Sequence, residues 1–129
     1  MVVHPIAPVY DARSRALILG SFPSVKSREQ GFFYGHPQNR FWRVLSAVLN
    51  APFPATVPER RAFLLERRIA LWDVIAACDI TGSGDASIRN AVPNDLMPVF
   101  AAAEIRAVFV NGRKAEALYR KWQERATGR

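Results

Sequence analysis

Residues 16–24 read ALILGSFPS. Four apolar residues run into a glycine, and a Ser-Phe-Pro-Ser turn follows. A short apolar run bounded by turn residues is the pattern of a buried strand opening into a loop. Outward from it, two more such runs occur, IALWDVI (69–75) and IRAVFVNG (105–112). Helical segments lie between them. RFWRVLSAVLN (40–50) places Phe41, Leu45 and Val48 on one face, with Trp42 and Leu49 beside it. After the Pro-rich connection APFPATVP, Pro58 takes a first-turn position ahead of ERRAFLLERR (59–68). VPNDLMPVFAAA (92–103) holds a short helix, interrupted or started late by Pro98. RKAEALYRKWQER (113–125) is the last helix, with TGR a frayed tail, and CDITGSGDASIRN (78–90) reads as a long loop. Apolar strands alternating with helices predict an α/β chain with a short parallel sheet covered on both faces, a three-layer αβα arrangement. One domain is expected over residues 1–129.

Composition narrows the function. The formal net charge is +7, and fifteen of the eighteen basic residues are Arg. Such a charge makes a polyanion, nucleic acid first, the expected partner, and Arg is the better phosphate fork. Genome base composition can also enrich Arg, so charge alone does not decide. No apolar run approaches the roughly 20 residues of a membrane span. MVVHPIAPVYDARSR lacks a basic segment followed by a continuous apolar one, so no signal peptide is expected and the cytosol is the expected compartment. The single cysteine, Cys78, cannot form an intrachain disulfide or supply a multi-Cys zinc or iron–sulfur site. Its apolar neighbours mark it as a buried spectator.

In a parallel α/β sheet, ligands bind beyond the carboxyl ends of the strands. GSFPS (20–24) occupies one such end. Gly20 allows close backbone approach, Pro23 stiffens the turn, and exposed amides of the loop could donate to a ligand. The P-loop and nucleophile-elbow spacings are absent. GFFYGHPQNRFW (31–42) follows. Phe32, Phe33 and Tyr34 cannot all face one way, so at least one is expected on display, where an aromatic can stack on a base. Asn39 has two readings, the N-cap of the helix after it or a side-chain amide for a ligand. Asn111 is either part of an Asn-Gly turn or a second contact. His36 is either a structural hydrogen-bonding group or a helper of a leaving group.

These stretches resemble a known family. HPQNRFW (36–42), preceded by an aromatic and by a strand ending in GSFPS, is similar to the uracil-DNA glycosylase superfamily and to its mismatch-specific enzymes. The match is closer to the hypoxanthine-DNA glycosylase branch. LWDVI, Cys78 and GSGDASI across 71–88, the PND step (93–95) and VFVNGRKA (108–115) support it. The resemblance covers about residues 16 to 122. It implies a monofunctional, metal- and cofactor-independent enzyme of base excision repair that flips a deaminated base out of DNA and hydrolyses its glycosidic bond. Hypoxanthine is the first candidate, then uracil or xanthine. By position it implies that Tyr34 stacks on the base and that Gly20, Ser21 and Phe22 belong to the base-contacting loop. Asn39 takes the important Asn position, and Asn111 falls near a second base-contacting loop. Pro23, Ser24 and His36 stand in support.

Two departures qualify the match. Many members carry Asp, Asn or Glu where this chain has Phe22, which cannot orient water; the hypoxanthine branch places that role on an Asn, here Asn39. The family also continues into a further strand, a Ser/Pro-rich wedge loop and a helix, whereas this sequence stops at Arg129. The resemblance therefore implies a fold short of its last strand and helix, with an exposed sheet edge open to self-association. A DNA- or base-binding module without catalysis is the competing reading. A small-molecule hydrolase using Ser21, Ser24 or Cys78 with His36 is a third, weakened because nothing in the sequence places a carboxylate behind that His.

Overall fold

The computed structural model describes residues 1–123. In chain order the elements are β1 (Val2–Val3), β2 (Ala16–Gly20), α1 (Val25–Gln30), α2 (Phe41–Val48), α3 (Val57–Glu66), β3 (Ile69–Asp73), β4 (Ile75–Asp79), β5 (Arg89–Pro93), α4 (Met97–Ala102), β6 (Ala107–Val110) and α5 (Arg113–Leu118). The tail at 127–129 and the last residues of the expected final helix lie outside the described residues.

β2 is the centre of a parallel sheet ordered β3-β2-β6. Leu17 sits opposite Ala70 and Val108, and Gly20 sits opposite Asp73. Side chains on a strand alternate between faces, and the packing follows. Leu17, Leu19 and Ala70 join a cluster with Val99, Ile105 and Tyr119 on the α4 and α5 side. Ile18 and Leu71 join Phe32, Phe33, Trp42 and Leu64 on the α2 and α3 side. Two cores flank one sheet, which is the expected three-layer arrangement. Trp42 anchors the second core: it is buried and its indole N–H donates to the Phe33 carbonyl at 3.3 Å.

Local signals explain the helix starts. Thr56 caps α3 by accepting from the Glu59 amide, and its hydroxyl donates to the Glu59 carboxylate at 2.9 Å, a reciprocal cap just ahead of an apolar stretch. Ser24 caps α1, which stops at Gly31 in the left-handed conformation with φ 73°. Having no apolar periodicity, VKSREQ gave no sign of a helix beyond that cap.

The sequence-based reading needs two corrections. IALWDVI is not one strand. β3 ends at Asp73, and the buried Val74 turns the chain into β4 of a second, antiparallel sheet ordered β1-β4-β5. Asn94 holds that turn: its side-chain amide donates to the Asp73 and Ile75 carbonyls at 2.8 and 3.2 Å, and its backbone N–H donates to the Val74 carbonyl. Nor is 78–90 one loop. Cys78 and Asp79 end β4, Arg89 opens β5, and the tip between them carries a 3-10 turn at Asp85–Ser87. β6 is the outer strand of its sheet among the described residues, and Phe109 on it is 58% exposed. No helix among the described residues is long and apolar enough to cross a membrane.

Candidate active site

A cavity of about 330 Å³ opens at the carboxyl ends of the parallel strands. Gly20 to Ser24 form one wall; Phe33, Tyr34 and Asn39 form another. Asp73 closes the end of β3, Ser83 and Asp85 come from the β4–β5 tip, and Asn111 and Gly112 follow β6. The structure thus brings together Gly20, Ser21, Phe22, Pro23, Ser24, Tyr34, Asn39 and Asn111. His36 is not in this lining; it is exposed, and its Nδ1 accepts from the Gln38 amide within its own turn.

Gly20 is where the walls come closest. A Cβ there would lie 2.6 Å from Asp73 Oδ1 and 2.8 Å from the Tyr34 hydroxyl. Only glycine lets both polar groups approach the sheet end. Tyr34 holds a left-handed backbone with φ 51°, an uncommon and strained state for a bulky residue. Its ring stacks on Phe41 with centroids 3.9 Å apart, and its hydroxyl accepts from Asn111 Nδ2 at 3.1 Å. Burial, reinforced by the nearby Asp73 charge, pushes its phenol well above the usual value. The phenol therefore stays protonated and keeps its own O–H to give.

Asn39 is not itself the N-cap of α2, which is Arg40, but stands one residue before it. Its Oδ1 accepts from the Phe41 amide at 2.8 Å, serving the start of α2, and the residue lines the cavity. That bond fixes which end of the amide is oxygen. The group Asn39 has left to offer a ligand is the Nδ2 donor.

Ser21 Oγ donates to Asp85 Oδ1 at 2.8 Å, and Ser83 Oγ accepts from the Val25 amide, so the β2 loop and the β4–β5 tip are tied across the cavity mouth. Phe22 is 8% exposed and packs edge-on against His4, with centroids 5.6 Å apart. Cys78 is buried in the core, where desolvation raises its thiol pKa.

Three polar residues near the cavity carried no signal strong enough to single them out. Asp73 sits at the end of β3, where the strand-end rule could have flagged it. Asp85 lies in what read as plain loop. His4 is remote in sequence and reaches Asp73 through β1. The histidine with a carboxylate behind it is thus His4, not His36. Among the described residues no group of three or more His, Cys, Asp or Glu side chains could hold a metal ion. Beside Asp85, Arg113 and Lys114 line a neighbouring hollow and bring positive charge to the rim.

Known proteins resemble this chain in sequence and fold. The family model of the uracil DNA glycosylase superfamily matches residues 7–127. A hypoxanthine DNA glycosylase of Methanosarcina barkeri is 34% identical over 110 residues, spanning 84% of this chain and 70% of the relative. One from Methanosarcina acetivorans is 33% identical over 117 residues, spanning 89% and 74%. The solution NMR structure of an M. acetivorans protein described as a candidate uracil DNA glycosylase superposes with a TM-score of 0.84 at 32% identity, covering 99% of this chain and 80% of that one. A strand-end cavity with a Gly20 close approach and an Asn39 donor, on the fold those proteins share, leads to one conclusion: the chain belongs to the uracil DNA glycosylase superfamily and is a DNA glycosylase, an enzyme of DNA repair.

Proposed function

We propose that the enzyme releases hypoxanthine from DNA, with uracil and xanthine as further substrates, in base excision repair. The observation that carries the reading is the state of Asn39, a cavity amide whose oxygen is held by α2 and whose nitrogen remains to donate. A base inside a duplex cannot reach this cavity, so the nucleotide must flip out. The Gly20–Ser24 loop and Tyr34 then enclose it. Cleavage of the C1′–N bond leaves its electron pair on the base and a cationic sugar, to which water adds with loss of a proton. Negative charge gathers on the base as the bond breaks, and a fixed donor aimed at it lowers the barrier. Asn39 Nδ2 suits that task, and the protonated Tyr34 hydroxyl is a second donor at the same wall. Phe22, buried against His4, has no part in handling water.

The test is base release from end-labelled duplexes containing deoxyinosine or deoxyuridine, with alkaline cleavage of the abasic site. Cleavage at inosine that is lost in Asn39→Ala supports the reading. Salt-sensitive DNA binding without cleavage of either duplex would instead make the cavity a binding site alone.

A further inference from the structure

His4 and Asp73 form a buried pair at the cavity wall that base release, as described, does not use. His4 Nε2 lies 2.7 Å from Asp73 Oδ2, and the two side chains are 4% and 5% exposed. The direction of the bond can be read. The Ile6 backbone N–H donates to His4 Nδ1 at 3.2 Å, so Nδ1 presents its lone pair and the proton sits on Nε2. His4 therefore donates to Asp73. Aromatic rings hold the imidazole in place, Phe22 edge-on and Trp72 within 6.5 Å. One carboxylate oxygen is thus taken. The other, Oδ1, stands over Gly20 beside the Tyr34 hydroxyl and forms no hydrogen bond among the described residues.

Deamination of adenine or cytosine inverts the hydrogen-bonding edge of the base. Adenine and cytosine show a ring nitrogen acceptor beside an amino donor. Their products, hypoxanthine and uracil, show a ring N–H donor beside a carbonyl. A pocket that accepts only the deaminated form needs an acceptor for that N–H next to a donor for the carbonyl. Asn39 is poorly placed to be the acceptor, because its oxygen is held by the Phe41 amide. Asp85 is exposed at the rim and engaged by Ser21. A carboxylate is acceptor-only, and Asp73 is the buried one.

Resting on the glycosylase reading above, we propose that Asp73 Oδ1 accepts the ring N–H of the flipped base and so selects hypoxanthine and uracil over adenine and cytosine, and that His4 is the positioning residue that aims it. Asp73→Asn carries a specific consequence. The His4 N–H claims the amide oxygen, which turns the amide NH₂ toward the cavity. A donor then faces the hypoxanthine N–H, and the same donor matches adenine.

The experiment measures binding of free hypoxanthine and free adenine by calorimetry, together with hypoxanthine release from deoxyinosine duplexes. It uses the wild type, Asp73→Asn, His4→Ala and His4→Gln, each with its melting temperature. Wild type is expected to favour hypoxanthine over adenine by about 100-fold or more. Asp73→Asn should bring that ratio to near one or invert it. His4→Ala should narrow it, and His4→Gln, whose amide N–H can still donate to Asp73, should restore most of it. A purely structural role would lower the melting temperatures and leave the ratio unmoved. A folded Asp73→Asn with the wild-type ratio overturns the proposal; if Asp73→Asn does not fold, equal ratios in wild type and His4→Ala do so. If wild type releases no hypoxanthine from DNA, the glycosylase substrate assignment fails, while the free-base ratios still decide the role of Asp73.

Discussion

Asn111 Nδ2 donates to the Tyr34 hydroxyl at 3.1 Å, joining the end of β6 to the aromatic segment before α2. The bond closes one side of the cavity and holds a protonated phenol against the Asp73 charge. Tyr34→Phe keeps the ring and its Phe41 stack while removing the hydroxyl. Base release should fall about tenfold, the cost of one neutral hydrogen bond. The same variant tests linkage. The folded state raises the phenol pKa, so the protonated form contributes stability that is fully present below about pH 10, where unfolded Tyr ionises. That contribution is lost as pH rises beyond, by up to about 1.4 kcal/mol per pH unit. Urea melts from pH 8 to 11 should show wild type losing stability faster than Tyr34→Phe above pH 10.

Asn39 holds the start of α2 with its amide oxygen and, in the proposed reaction, serves the base with its nitrogen, and substitutions can part the two duties. Asn39→Ala removes both. It should cost about 1 kcal/mol of stability through the lost bond at the start of α2 and about 100-fold or more in base release. Asn39→Asp keeps an acceptor for the Phe41 amide and loses the donor. Its melting temperature should stay near wild type while base release falls at least as far as in Asn39→Ala. Equal activity in Asn39→Asp and wild type would restrict Asn39 to holding the start of α2.

Gly20→Ala would put a methyl 2.6 Å from Asp73 Oδ1 and 2.8 Å from the Tyr34 hydroxyl. Asp73 is buried and the Tyr34 ring is stacked on Phe41, so both can retreat only by disturbing their packing, at a cost of roughly 1–3 kcal/mol. Base release should drop sharply while DNA affinity holds, because the change is inside the cavity and not at the charged rim. Filter binding beside single-turnover cleavage checks it.

Arg113 and Lys114 start α5 at the rim. If they contact backbone phosphates, Arg113→Gln with Lys114→Gln should weaken duplex binding irrespective of the base present. The slope of log affinity against log salt should shrink by about 2. Fluorescence anisotropy over a salt series measures it. An unchanged slope would place the phosphate path elsewhere.

The large-scale order of this fold was legible because its parallel strands are apolar throughout. ALILG and IALW announce strands buried on both sides, and AVFV reads the same way although its Phe109 is 58% exposed at the outer strand. The second sheet was hidden by its chemistry. IAACD continues the apolar run of IALWD without a break, RNAVP opens on two polar residues, their pairing has register shifts, and the Thr81-Gly82-Ser83-Gly84 stretch between them looks like a loop. The cavity was legible where its lining sits on strand ends and turns, as with Gly20, Tyr34, Asn39 and Asn111. His4 and Asp73 were not legible as a pair, because the bond joins residues 69 positions apart and neither position has a local pattern that names its partner.

The central place of β2 sets a timetable for biosynthesis. β2 is made early, but one of its neighbours, β6, comes near the end of the described chain. At ordinary elongation rates the ribosome needs several seconds or more to reach it. Throughout that interval the nascent chain carries an apolar strand with one side unpaired, and Asn111 has not yet arrived to hold Tyr34. The cavity cannot form piecemeal behind the ribosome. It is finished only when nearly all the described chain has emerged, so synthesis stalled before residue 107 would yield protein with a nearly complete aromatic wall and no working site.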